Sequence, residues 1–342
     1  MNHPLYHLTS ARLREFYREP GALFWVFGFP IVLALVLGLA FQSGVRPRVP
    51  IAVTEGPQAA ARAEVLARDN GLLVKTVSLD EARRLMRAGK ALLIVHGDAE
   101  AAYEFDPTRP ESEALRRQVD DALQAAAGRG DVIRARDMKV KQQGSRYIDF
   151  LIPGLLGMNI MGSSMWGIGW SIVQMRTRKL LKRLTATPMR RRDYLLSHVL
   201  SRMVFLVLEV TVVLGFAYLV FHIRVLGSMA GLLLLCFVGA MAFAGMGLLV
   251  ASRAQTSEVV SGLMNAVMFP MWLLSGVFFS ADNFPGWMQP VIRFLPLTVV
   301  NDALRAVMNE GAGFTASLLP TAILAGWALV TFAVALRWFR WS

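Results

Sequence analysis

Arg176 to Tyr194 reads RTRKLLKRLTATPMRRRDY, with eight basic side chains and one acid. Long apolar runs lie on either side, Phe150 to Gln174 before it and Met203 to Phe221 after it. Each run reaches or nearly reaches the roughly 20 residues a helix needs to cross a bilayer. A basic stretch between two such runs is the pattern of a cytoplasmic loop joining membrane spans, because Lys and Arg are retained on the inner side. This reading sets the fold class: an α-helical polytopic membrane protein.

The rest of the chain agrees. Hydrophobic residues make up 55% of the sequence and charged residues 18%, too apolar for a soluble chain of 342 residues. The net charge of +12 raises the question of nucleic acid. Much of the excess sits between apolar runs instead of on a face interleaved with aromatic and polar groups, so no nucleic-acid partner is expected. Cys236 is the only cysteine, which excludes an internal disulfide and a cysteine-built metal site. The five histidines show no ligand spacing.

Six spans are expected, near Gly21 to Phe41, Phe150 to Gln174, Met203 to Phe221, Met229 to Ala251, Val259 to Phe279 and Leu318 to Leu336. The first is too long an apolar run for a cleaved signal. With the N-terminus inside, the cytoplasmic pieces hold Arg12, Arg14 and Arg18, nine basic residues in Met175 to Arg202, then Arg253, Arg337 and Arg340. The short outer loops hold Arg224, Arg293 and Arg305. Both termini are therefore expected in the cytoplasm.

Residues 1–20 carry Leu5, Leu8, Leu13, Phe16 and Tyr17 among arginines and are expected to form an interfacial helix in the inner headgroup plane. Residues 21–41 are the first span. Residues 42–148, with 18 basic and 15 acidic side chains, form an inserted extracytoplasmic α/β domain. Its strands are expected at Val49 to Val53, Leu72 to Val77, Ala91 to Val95 and Ala102 to Phe105, and its helices at Asp80 to Ala88 and Glu111 to Ala127. It lacks paired catalytic carboxylates, a nucleophile elbow and a P-loop. Residues 149–342 hold the other five spans, a cytoplasmic loop at 175–202 and an outer helical hairpin at 280–317. In that hairpin Trp287, Phe294 and Leu295 suit the outer interface, and Thr298 is expected to cap its last helix.

Small residues crowd two spans. Gly154, Gly157, Gly162, Ser163, Gly167 and Gly169 mark the second, and Ser261, Gly262, Asn265, Pro270 and Gly276 the fifth. Small residues let backbones approach closely in lipid. Either packing inside one subunit or a dimer interface lining a pathway accounts for them. Asn159, Gly162, Glu209, Asn265 and Pro270 are the candidates for that pathway or interface. Glu209, inside the third span, is expected to face protein or water, since a carboxylate facing lipid is costly.

Within the opening stretch Leu180, Leu181 and Leu184 share a helical face opposite Lys179, Lys182 and Arg183, and Pro188 ends the run. Anchoring explains the charge but not a structured amphipathic helix. Leu181 to Pro188, LKRLTATP, resembles the loop that follows the second span in ABC-2 type transporter permeases. Asn159 to Gly162, Ala254 to Glu258, Trp272 to Phe278, Pro296 to Thr298 and Asn301 to Leu304 resemble that family too. Many relatives carry an acid-Arg-Gly-Thr-type element before the loop helix, where this chain has Arg178-Lys179-Leu180.

The resemblance implies the transmembrane permease subunit of an ABC exporter, in a bacterial cytoplasmic (inner) membrane. Two permease subunits, a homodimer or a paired heterodimer, would form the path, and two separate ABC ATP-binding subunits would drive it. ATP and Mg would be used by that partner and no cofactor bound by this chain, which has no catalytic or metal site. The ATPase-coupling residues would be Lys179, Leu180, Leu181, Lys182, Arg183, Leu184, Thr187 and Pro188. The lipid bilayer is a further partner, and a periplasmic adaptor protein is left open. A secondary-active transporter and a membrane receptor with an outer sensing domain are the alternatives. The first lacks the expected inverted repeats and the second a cytoplasmic signalling module.

Overall fold

The computed structural model describes residues 6, 9–10, 13–14, 17–42, 48–107, 109–130, 144, 146–179 and 191–338. The chain divides into two compact units, one made of Met1–Gln42 with Val140–Ser342, the other of Ser43–Lys139. The first unit opens on an irregular helix. Pro20–Leu23 passes through a π-helical turn, Phe24–Gly28, into α1, Phe29–Gln42.

The Ser43–Lys139 unit follows in the order β1 (Val49–Thr54), α2 (Ala59–Ala67), β2 (Leu72–Val77), α3 (Leu79–Arg87), β3 (Leu93–Val95), β4 (Tyr103–Phe105) and α4 (Pro110–Ala126). The sheet order is β2-β1-β3-β4. β1 is parallel to both β2 and β3, and β4 runs antiparallel to β3. Ile51, Ala52 and Val53 are buried because helices cover both faces of the central strand, which is why it reads as a continuous apolar run instead of alternating. Leu66, Leu115 and Val119 from α2 and α4 join Ile51 and Val53 in one core. Ala82 of α3 joins Ala52 and Ile94 in the other. The sequence reading had nothing between β1 and β2, where the structure has α2. That helix is rich in alanine and buries only Ala59 and Leu66, so its apolar periodicity is faint.

Open parallel sheets bind ligands at the carboxyl ends of strands where the order reverses. Here backbone fills that place. A Cβ on Gly56 would lie 2.5 Å from the Gly97 carbonyl oxygen, so only glycine permits the approach. The Gly97 N–H donates to Thr54 Oγ1 at 2.9 Å, and the Arg62 guanidinium donates to the His96 and Ala99 carbonyls.

The first unit resumes with α5 (Tyr147–Thr177), α6 (Arg191–Phe221), α7 (Met229–Arg253), α8 (Ser257–Leu274), α9 (Gln289–Phe294), α10 (Pro296–Asn309) and α11 (Leu318–Trp338). Among the described residues, five helical stretches are long and apolar enough to cross a membrane: Tyr147–Thr177, Leu200–Phe221, Met229–Arg253, Ser257–Leu274 and Phe314–Trp338. The segment expected as the first of six spans falls short of that length, with its apolar part at Phe24–Ala40. The fifth expected span also ends early, at Leu274. Gly276 there takes φ +68°, a left-handed conformation that glycine adopts without penalty.

α5 is the axis of this unit. Its apolar window is 83% buried against 17% for Phe314–Trp338, so α5 is enclosed by other helices whereas α11 packs along α7 and leaves most of its surface outward. Glycines make the contacts close. A Cβ on Gly247 of α7 would sit 2.7 Å from the Met165 carbonyl, and one on Gly154 would sit 2.7 Å from the Val277 carbonyl. A Cβ on Gly157 would strike Asn301 Oδ1 of α10. Between α8 and α11 lie two 3-10 turns, α9 and α10. α10 starts at Pro296 after Leu295, so Thr298 is not its cap but a buried residue in its first turn. The apolar face expected for residues 1–20 rests largely on Leu5, Leu8 and Phe16, which lie outside the described residues.

Candidate functional site

Arg202 and Glu209 stand seven residues apart on α6, two turns and about 10 Å along its axis, so their side chains share a face. Only 5% of Arg202 and 1% of Glu209 is exposed. The guanidinium folds along the helix and grips the carboxylate with both terminal nitrogens, at 2.8 and 3.0 Å. Its Nε donates to Ser164 Oγ of α5 at 2.9 Å. Ser163 Oγ lies 3.1 Å from Glu209 Oε2 and 2.7 Å from the Asn159 carbonyl. Asn159 Nδ2 donates to the Val26 carbonyl at 3.0 Å, inside the π-helical turn. One polar chain thus ties the entry helix, α5 and α6 together.

Electrostatics favours keeping the two charges paired over leaving either alone. A single charge in the middle of a span costs several kcal/mol, and a bidentate guanidinium–carboxylate pair with its remaining donors satisfied offsets most of it. Counting Arg202 among the cytoplasmic loop residues was wrong: it enters the bundle as the partner of Glu209. The sequence signal was an Arg and a Glu at i and i+7 within one apolar run.

Arg176, first residue of the opening stretch, also turns inward. Nη1 donates to the carbonyls of Ala251 at 3.1 Å and Ala254 at 2.5 Å, and Nη2 to that of Ser252 at 3.3 Å. These carbonyls lie in and just past the last turn of α7, where helical partners run out. At the opposite ends of the helices, Arg305 donates to the carbonyls of Gly276 and Phe150 and lies 3.7 Å above the Phe150 ring. Arg146 grips Asp149 at the start of α5 and reaches the Phe221 carbonyl. Asn309 Nδ2 donates to the Asp149 carbonyl at 2.8 Å.

The structure brings Asn159 and Glu209 together through Ser163. Gly162 faces α8, with Met268 Cε 3.7 Å from where its Cβ would be. Asn265 and Pro270 point outward on α8 and join neither. Lys179 takes φ +55° as its N–H bonds back to the Arg176 carbonyl, closing α5. Leu180, Leu181, Lys182, Arg183, Leu184, Thr187 and Pro188 lie outside the described residues. Among the described residues no three His, Cys, Asp or Glu side chains gather as a metal site.

Residues 20–337 match the family described as ABC-2 family transporter protein. The chain is 28% identical over 171 residues to ABC transporter G family member 20 of Dictyostelium discoideum, covering 49% of this chain and 23% of that protein. It is 30% identical over 116 residues to the daunorubicin resistance ABC transporter permease protein DrrB1 of Streptomyces coeruleorubidus, covering 34% and 40%. It is 26% identical over 177 residues to the linearmycin resistance permease protein LnrN of Bacillus subtilis (strain 168), covering 52% and 46%. The aligned parts thus span less than half of each relative's length. With its several apolar helices the chain is a multi-pass membrane protein, and with a match running over nearly all of its length it belongs to the ABC-2 family of transporter proteins.

Proposed function

We propose that this chain is the permease subunit of an ATP-driven exporter. Two copies, or one copy with a similar partner, line the path, and two separate ATP-binding subunits dock on the 175–202 loop. The carrying observation is the family match over residues 20–337. Six spans cross the membrane in this reading, the entry helix with its π turn serving as the first. Both termini and the loop face the cytoplasm of a bacterial cell, and the Ser43–Lys139 unit faces outward.

The outward face of α8, with Gly262, Asn265 and Phe269, is where the second permease copy belongs. An exposed amide on an apolar helix is costly against lipid and useful against another helix. The relatives named for daunorubicin and linearmycin resistance support an amphiphilic small molecule as cargo. Affinity purification of the tagged full chain from its native membrane tests the reading. An ATP-binding subunit should co-elute and hydrolyse Mg-ATP, and the chain alone should hydrolyse none above a denatured control. Turnover by the chain alone, or the absence of any ATP-binding subunit, would overturn it.

A further inference from the structure

The 175–202 loop leaves α5 at a residue that is not free to follow it. Arg178 and Lys179 are exposed, as a basic inner loop requires. Arg176, one turn back, is folded against α7 and holds the carbonyls of Ala251, Ser252 and Ala254. Inner-side retention of charge does not need this geometry. A guanidinium at the negative end of α7 supplies donors that the helix lacks and a cation where the dipole favours one.

What lies beyond those carbonyls matters more. α7 ends at Arg253 and α8 begins at Ser257, with Thr256 Oγ1 accepting from the Val259 N–H as its cap. The corner between them is therefore three residues long, and Arg176 grips its first residue, Ala254. Further along α5, Met165 and Gly247 meet backbone to backbone, which leaves α5 and α7 little room to slide. α8 lies on α5 through Met264 and Met268, and its apolar window is 22% buried against 61% for that of α7.

We propose that Arg176 is the positioning residue through which displacement of the end of α5 reaches α8, by holding the α7–α8 corner to that end. This rests on the permease reading above. A tilt imposed on the end of α5 is delivered to the corner by three hydrogen bonds from one rigid planar group. α8, less enclosed than the α5 and α7 it is joined to, is the element that swings.

The test uses the full chain with its copurified ATP-binding subunit in lipid nanodiscs. A reporter cysteine replaces Asn283, exposed just beyond the far end of α8, and its maleimide labelling rate is read with and without a non-hydrolysable ATP analogue and Mg. The analogue should change the rate several-fold in the Arg176 background. Arg176→Met should abolish that response while the ATP-binding subunit still copurifies and binds the analogue. Arg176→Lys, with one nitrogen for three carbonyls, should respond weakly. A full response in Arg176→Met overturns the inference and leaves the permease reading standing. Loss of the ATP-binding subunit from the unmutated chain removes both. Should Arg176→Met fail to insert, Arg176→Lys decides, and a full response there overturns the inference. Failure of both variants to insert assigns Arg176 to folding alone, which also overturns it.

Discussion

Arg202 and Glu209 are each tolerable only because of the other. Removing one member of a buried pair strands a charge and costs on the order of 3–5 kcal/mol, whereas replacing both by apolar groups is often close to neutral. Arg202→Met should therefore lower the melting temperature of the detergent-solubilised chain more than Arg202→Met combined with Glu209→Leu does, as a double-mutant cycle would read. Glu209→Gln that leaves assembly and export intact would confine the pair to packing. In the Ser43–Lys139 unit Arg83 grips Glu104 at 2.7 and 3.0 Å, and His96 Nε2 lies 3.1 Å from the same carboxylate. The hydrogen bonds from Arg83 hold the Glu104 carboxyl below its ordinary value. A depressed carboxyl stabilises fully above the unfolded glutamate value, about 4.3, and that contribution disappears as pH falls through the lower folded value. Glu104→Gln should flatten the acid side of this unit's stability, and leave it unchanged near neutrality in slope, as hydrogen exchange in β3 and β4 of the full chain would show.

At the level of elements, the leucines of the 175–202 loop carry the docking expectation. Leu181 and Leu184 each contribute about 1.5–3 kcal/mol if fully buried against a partner, while the exposed charges beside them contribute little. Leu181→Ser with Leu184→Ser should insert normally and lose copurification of the ATP-binding subunit; normal copurification would reduce the loop to an anchor. Strands β1 to β4 were legible in the sequence because short apolar runs between turn residues have few other uses. α2 was not, because alanine marks no face. The π turn was invisible because it is defined by which carbonyl each N–H meets, and FWVFG reads as ordinary apolar helix. Its structural trace is the Val26 carbonyl, which accepts from Asn159 Nδ2. Glu209 was legible as a residue needing company. Its partner was hidden, since an arginine near a span end looks like an anchor until a carboxylate is found two turns on.

Across the whole molecule, the topology that follows from the charge distribution is open to direct measurement. A cysteine at Ala99 should react with an impermeant reagent added outside intact cells and one at Thr185 should not; the opposite pattern would invert the proposed orientation. The architecture also bears on how the chain is made. Of the five long apolar helices among the described residues, α5 has the lowest mean hydropathy, 1.2, and the greatest burial, while the Leu200–Phe221 part of α6 reaches 2.5. The most buried of these helices is thus the least hydrophobic of them. Synthesis delivers it before α6, α7, α8 and α10 exist to cover it. A ribosome-bound chain ending soon after Thr177 should hold α5 poorly in the bilayer, and one that continues past Arg253 should hold it well, so α5 settles in the membrane only as its later neighbours arrive.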